Sequence, residues 1–271
     1  MRIRIRHETR YRYDRPIDLA AQVVRLTPRD HEHQRVLSWR VTDGGGRMLA
    51  GFADGYGNSC HLATIQRRHD ESAIVAEGEV ETFASAGAVT GAIDTLPPLF
   101  YLRRTDATRP DPAIEALAQA QADVSNPVER LHRLMLDVRA RIVYEIGSTS
   151  VVTSAAEALA RGRGVCQDHA QVLISAARLL GYPARSVSGY LWDEAQTAPT
   201  EASHAWAEAR VEGLGWVGLD PANGVSPTPA YVRVATGLDY SDAAPVRGIR
   251  RGGAAETLAV SVEVQQVQAQ Q

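Results

Sequence analysis

The chain has 271 residues, of which 44% are hydrophobic and 23% charged, with a formal net charge of −3. This composition is typical of a soluble globular protein and argues against nucleic acid or an anionic membrane as a partner. With no apolar run of about 18 residues and a charged, alternating start at Met1–Arg6, we expect neither a membrane span nor a signal peptide, and therefore a cytoplasmic protein.

Residues 1–95 predict a β-rich N-terminal domain. From Met1 to Tyr13, apolar residues occupy odd positions and arginines even ones, the period of a half-buried strand. Turn signals at Asp43–Gly46 and Asp54–Asn58 separate further strands that suit an antiparallel sheet or sandwich. These strands are predicted at Val36–Val41, Cys60–Ile65 and Ala73–Phe83.

Residues 96–112 contain four prolines without clear periodicity and are predicted to be a linker. Residues 113–264 then form the predicted core, which begins with helices. Asn126 can cap a helix that has Pro127 at its first position, and Ser154 with Glu157 fits a capping box. The next helix is predicted to begin at Cys166 and to end near Leu180.

Strands return in the second half of the core, at 184–192, 203–211 and 215–220. A last strand alternates from Leu258 to Val264 and is expected to pair back onto a sheet. We predict a frayed Gln-rich tail over 265–271. The overall expectation is an α+β protein.

Cys166 stands where a reactive thiol is expected. Backbone N–H groups at a helix N-terminus favour an anion, so a thiolate, the nucleophilic form of cysteine, is stabilised there. Gly162 and Gly164 permit a tight turn and leave the sulfur open to a substrate. The same N–H groups could bind the oxyanion that forms after attack. The other cysteine, Cys60, is interpreted as a small buried apolar residue.

His204 and Asp220 complete the pattern of an activated nucleophile. A hairpin centred near Glu212 would place Arg210 opposite Leu214 and His204 opposite Asp220 on one face. Asp220 could then hold one imidazole nitrogen while the other meets Cys166. The opposite face would pack against the Cys166 helix or a neighbouring strand; its residues are Ala205, Ala207, Ala209 and Val211.

Each part alone also has a structural interpretation, since a lone cysteine, a strand histidine and an Asp-Pro turn are all common. A metal site is a further alternative, but no second Cys/His pair has the usual zinc spacing. We therefore predict no metal and no cofactor. The residues of that alternative site would be Cys166, His169, His204 and Asp220.

Several blocks of the chain together resemble the bacterial transglutaminase-like superfamily. They are Gly162–Ala170, Leu179–Arg185, Ser188–Tyr190, His204–Glu208 and Gly215–Pro221, with Asp54–Asn58 near the start and Asp239-Tyr240 and Ala244–Gly248 near the end. The resemblance implies a papain-like core, a helix carrying the cysteine packed on an antiparallel sheet, behind a β-rich N-terminal domain. It also implies Cys166 as nucleophile, His204 as general base and acid, and Asp220 as the residue that orients the imidazole.

The resemblance also suggests roles around these three residues. In related transglutaminases a tryptophan upstream of the nucleophile donates to the oxyanion, but no tryptophan lies between Trp39 and Cys166. The Cys166 backbone N–H and the Gln167 side chain are the remaining candidates. His169 stands where an aromatic residue is commoner and is interpreted as a ring packed under the site. Trp206 and Trp216 are expected to line the cleft, and Asp168 to hold the loop by hydrogen bonds.

The resemblance leaves three functions open. The first is a cysteine hydrolase that cleaves peptide or isopeptide amides through a thioester on Cys166. The second is a transglutaminase, in which an amine takes the acyl group instead of water. The third is a non-catalytic peptide-binding protein. All three predict a peptide or protein as partner, and none fixes the oligomeric state.

Overall fold

The computed structural model describes residues 1–195, 198, 203–253 and 255–267. Their main elements are two antiparallel sheets and a set of helices, the α+β class that the sequence predicts. The first sheet comprises β1 (Arg2–Thr27), β2 (Gln34–Asp43), β3 (Ala50–Ala53), β4 (Ser59–Ile65), β5 (His69–Thr82), β13 (Val246–Gly252) and β14 (Glu256–Gln266). The second comprises β6 (Ala88–Val89), β9 (Ala184–Leu191), β10 (His204–Val211), β11 (Gly215–Leu219) and β12 (Tyr231–Gly237). The short strands β7 (Val143–Tyr144) and β8 (Arg163–Gly164) form a separate parallel pair.

The first sheet is built around β1, which lies between β5 and β4 in the strand order β2-β5-β1-β4-β3 and also pairs with β13 and β14. The predicted alternation is confirmed: Ile3 and Ile5 are fully buried, while arginines on the other face pair with glutamates such as Glu79. The strand extends beyond the predicted end at Tyr13. Pro16 interrupts it only where the register shifts between Arg12 and Ile17, a position at which a strand tolerates proline.

The C-terminal strand β14 pairs with β1 along its length, from Ile3 opposite Gln266 to Tyr13 opposite Glu256. The expectation that this strand returns to a sheet is confirmed, but the sheet is that of the N-terminal strands. Gln265 and Gln266 still belong to β14, so the predicted frayed tail does not begin at 265; residues 268–271 lie outside the described residues. The division of the chain into domains stays a prediction.

Four of the five α-helices described pack on one face of the second sheet, whose strand order is β12-β9-β10-β11-β6. Ala207, Ala209 and Val211 of β10 share one apolar core with the helices, as their alternation predicts. The helices are α1 (Pro112–Gln119), α2 (Pro127–Arg141), α3 (Ala155–Arg161), α4 (Cys166–Leu179) and the short α5 (Tyr240–Ala243). In the described part of the chain, no helix has both the length and the hydropathy that crossing a membrane requires.

Local signals place the helix ends. The Asn126 side chain accepts hydrogen bonds from the backbone N–H groups of Val128 and Glu129, and Ser154 with Glu157 forms the predicted capping box. The segment 96–112 is more ordered than a linker without periodicity suggests. A 3₁₀ helix spans Pro98–Leu102, and the carbonyl of its buried Tyr101 accepts a hydrogen bond of 2.8 Å from Arg178 on α4.

The hairpin between β10 and β11 is centred on Gly213 and not on Glu212. Val211 pairs with Gly215 and Arg210 with Trp216, so the predicted register is wrong by two residues. The reason is the three-residue turn over 212–214, in which Gly213 takes a positive φ of 77°. Because a shift of two residues preserves the face of a strand, the predicted sidedness of His204 and Asp220 survives the error.

Candidate active site

Cys166 is the first residue of α4 and lies at the end of a tightly held loop. The Asp168 carboxylate accepts hydrogen bonds from the Val165 backbone N–H (2.8 Å) and from the Thr149 hydroxyl (2.6 Å). Burial raises the pKa of Asp168 in spite of these two bonds. A side chain at Gly164 would collide with Asp168, which explains the glycine there. Asp168 thus fixes the loop that presents the sulfur, as expected.

His204 is the first residue of β10, and it meets Asp220, which directly follows β11. Nε2 of His204 lies 2.7 Å from Oδ2 of Asp220, whose side chain is fully buried. Burial alone would raise the pKa of Asp220, but hydrogen bonds from His204, Tyr231 and Asn223 and the charge of His204 outweigh burial and lower it. The carboxylate therefore stays charged and anchors the ring, and Nδ1 is left as the nitrogen that can face a sulfur.

The electrostatics of His204 couple it to Cys166. Burial lowers the pKa of His204, but hydrogen bonds to Asp220 and Cys166, together with the charges of both groups, raise it to about 10. A histidine with this pKa keeps its proton at pH 7, and a positive imidazolium favours a thiolate beside it. Cys166 and His204 line the same cavity of about 760 Å³. The arrangement can therefore supply a nucleophile and a proton donor to one bound group.

Two residues that the sequence analysis did not identify hold Asp220. The Tyr231 hydroxyl and the Asn223 side-chain amide each donate to Oδ2 over 2.7 Å. Asn223 follows Asp220 by three residues in an Asp-Pro-Ala-Asn-Gly turn, so turn chemistry could have indicated it. Tyr231 reaches the carboxylate from β12, and a strand that is distant in the chain gives no local signal of this contact.

The two tryptophans differ in position. The Trp206 ring stacks on the His204 ring with centroids 6.0 Å apart and meets Tyr231 edge-on, so it packs against the imidazole and holds it in place. Trp216 lies elsewhere: its indole donates to Asp94 (2.8 Å), and the Arg185 guanidinium lies 3.7 Å from its ring centre. Neither tryptophan is among the described residues that line the cavity, so the expectation that they line the cleft is wrong for both. Trp216 lies near the hairpin end of β11, roughly 13 Å along the strand from Asp220.

Gln167 and His169 follow Cys166 on α4. Gln167 lines the cavity, and its amide donates to the Ser150 carbonyl over 3.3 Å. The buried His169 ring has each nitrogen 2.9 Å from a carbonyl oxygen, that of Val165 or Ile142, so neither nitrogen is open to a substrate. Among the residues that the structure describes, no cluster of three or more His, Cys, Asp or Glu side chains could hold a metal ion.

Cys60 contrasts with Cys166. It is only 1% exposed, in the first sheet, and its sulfur lies 3.4 Å from Asp54. Burial and the nearby negative charge raise the pKa of this thiol to about 12. The interpretation of Cys60 as a small buried residue is confirmed.

Sequence comparisons match this chain to two family models and to full-length relatives. The sequence model of the bacterial transglutaminase-like N-terminal region matches residues 3–81, and that of the transglutaminase-like superfamily matches residues 115–221. An uncharacterized protein of Mycobacterium leprae is 31% identical over 97% of this chain and 98% of its own length. An uncharacterized protein of Mycobacterium tuberculosis is 30% identical over 92% of this chain and 87% of its own length.

A solved structure supports the fold. The crystal structure of a putative cysteine protease from Cytophaga hutchinsonii matches with a TM-score of 0.79 at 20% identity, over 100% of this chain and 92% of that one. At this identity the similarity concerns the fold alone. The two sequence matches and the relatives that align over nearly the whole chain show that this protein belongs to the transglutaminase-like superfamily.

Proposed function

We propose that this protein is a thiol-dependent acyl-transfer enzyme that cleaves peptide or isopeptide amides through a thioester on Cys166. The proposal depends mainly on the surroundings of His204. Its Nε2 lies 2.7 Å from the Asp220 carboxylate, and its interactions with Asp220 and Cys166 raise its pKa to about 10. A buried imidazolium beside a cysteine at a helix start is the arrangement of an activated thiol. Asp220 orients the ring in this proposal.

The reaction has two steps. In the first, the Cys166 thiolate attacks the amide carbonyl carbon, the C–N bond breaks, and the imidazolium of His204 gives its proton to the leaving amine. In the second, His204 takes a proton from water as the water oxygen attacks the thioester. The acid is released, and its departure regenerates the Cys166 thiolate and the imidazolium. Atoms and charge balance without a cofactor.

The oxyanion of the tetrahedral intermediate needs a donor. The first turn of a helix leaves its backbone N–H groups without intrahelical partners, and Cys166 occupies the first position of α4. The Gln167 amide already donates to the Ser150 carbonyl. We therefore assign the Cys166 N–H as the main donor, with Gln167 as a neighbour that keeps the loop in place.

Mass spectrometry of a mixed peptide library tests the proposal, with and without an added primary amine. Cleaved acids without the amine indicate hydrolysis, and products that carry the amine indicate the alternative, a transglutaminase. Cys166→Ala must abolish both kinds of product, whereas the matched control Cys60→Ala must retain them. A wild-type protein that binds peptides and leaves them intact would support the non-catalytic alternative. The cytoplasmic location also stays a proposal.

A further inference from the structure

We propose that the first sheet forms one side of the substrate site and selects an uncharged, apolar substrate side chain. This inference rests on the proposed function, since it assigns the substrate class of the same cavity. The cavity of about 760 Å³ that contains Cys166 and His204 extends across β1 and β14. The N-terminal region would therefore take part in recognition and not only in folding.

The strand register defines this side of the cavity. Tyr11 pairs with Leu258, Thr9 with Val260 and His7 with Val262. Paired residues of antiparallel strands project from the same face, so these six side chains form a continuous row. Its members Tyr11, Leu258, Val260 and Val262 are here called the apolar wall. The exposure of its β14 residues falls along the row, from 53% at Leu258 to 1% at Val262. The row thus leads from the mouth of the cavity to its floor.

The polar groups on the floor are uncharged and mutually bonded. Nδ1 of the buried His7 lies 3.1 Å from the Tyr190 hydroxyl, and Nε2 lies 3.0 Å from the Thr9 hydroxyl. Burial lowers the pKa of His7 to about 4, so the ring is neutral at pH 7. The floor therefore offers no counter-ion to a charged substrate group.

The rest of the cavity lining is also largely apolar and carries little charge. Ile146 and Val151 line the same cavity and are 80% and 71% exposed, and apolar side chains exposed together typically mark a binding surface. Among the described lining residues, Asp193 is the only formally charged side chain apart from the Cys166–His204 pair. Burying an unpaired charge in such a cavity is unfavourable, whereas an apolar side chain gains from leaving water.

Peptides that differ at one position adjacent to the scissile amide test this selection. We expect the wild-type protein to have a kcat/KM at least about tenfold higher for leucine or phenylalanine than for lysine or glutamate. Leu258→Glu places a negative charge on the apolar wall at an exposed position that does not threaten folding. The ratio of apolar to lysine peptides should then fall at least tenfold, while the iodoacetamide reactivity of Cys166 is retained.

The matched control is Leu62→Glu, at a position 48% exposed on β4 of the same sheet and outside the cavity lining. It should keep the wild-type ratio. The same peptides are also titrated against Cys166→Ala, with and without Leu258→Glu, by fluorescence anisotropy. If the wild-type protein cleaves none of these peptides but the binding titrations still show the apolar preference, the proposed function is rejected and the inference is kept. A wild-type preference for charged side chains, or a Leu258→Glu profile equal to that of the control, would overturn the inference.

Discussion

Alkylation should separate the two thiols of this protein most sharply. We expect iodoacetamide to label Cys166 far faster than Cys60 below pH 7. Cys166 is 8% exposed and lines the cavity together with His204, while Cys60 is 1% exposed and lies near Asp54. Iodoacetamide is uncharged, so the difference in rate reports thiolate content and access rather than attraction of the reagent.

The size of the effect follows from Cys60. With a pKa of about 12, roughly one Cys60 thiol in 100,000 is ionised at pH 7, and access to it requires local opening. Labelling of Cys166 needs no such opening, because this residue already lines the cavity. We therefore expect a rate ratio of at least about 1,000, since only the thiolate reacts appreciably.

A time course of alkylation, followed by digestion and mass spectrometry of both cysteine peptides, measures the two rates in one sample. His204→Ala should slow labelling at Cys166 and leave Cys60 unchanged, which separates activation from access. Equal rates at the two thiols in the folded wild-type protein would refute the reasoning. So would a His204→Ala protein whose Cys166 reacts as fast as the wild type at pH 6.

Three further predictions concern stability and are measured by urea unfolding. The pKa of His204 is raised from 6.5 to about 10, so its contribution to the free energy of unfolding is full below pH 6.5 and disappears as the pH rises through 10. Asp220→Asn should flatten this dependence of stability on pH, and an unchanged slope in the variant would contradict the assignment. Glu208→Gln should cost about 3–5 kcal/mol because Arg185 and Arg233 lose a buried partner, and a cost below about 1 kcal/mol would contradict this. Burial would raise the pKa of Glu208, but the two arginines lower it to about 2. In the wild type, the stabilisation by Glu208 is therefore present above pH 4.5 and is lost as the pH falls toward 2. Asn126→Ala should cost about 1 kcal/mol through the lost cap, with Asn126→Asp near neutral as its control.

Sequence reasoning succeeded where a few neighbouring residues decide the structure. The caps at Asn126 and Ser154, the alternation of β1 and the start of α4 at Cys166 all depend on local chemistry. It failed where distant strands decide. The hairpin register is two residues from the predicted one because the turn is centred on Gly213. The contacts of Trp216 with Asp94 and Arg185 could not be predicted from the spacing of residues in the chain.

The same contrast separates chemistry from selectivity in this cavity. Cys166 and Asp168 lie within one helical turn, and Asp220 and Asn223 lie within one loop. Because such residues are close in the chain, they form short motifs that can be recognised from the sequence. The apolar wall depends on pairs such as Tyr11 with Leu258, which are far apart in the chain and become neighbours only when β1 pairs with β14. Substitutions along β14 can therefore change the accepted side chain without touching any motif. Members of this superfamily with identical reactive blocks should differ in substrate wherever these paired positions differ.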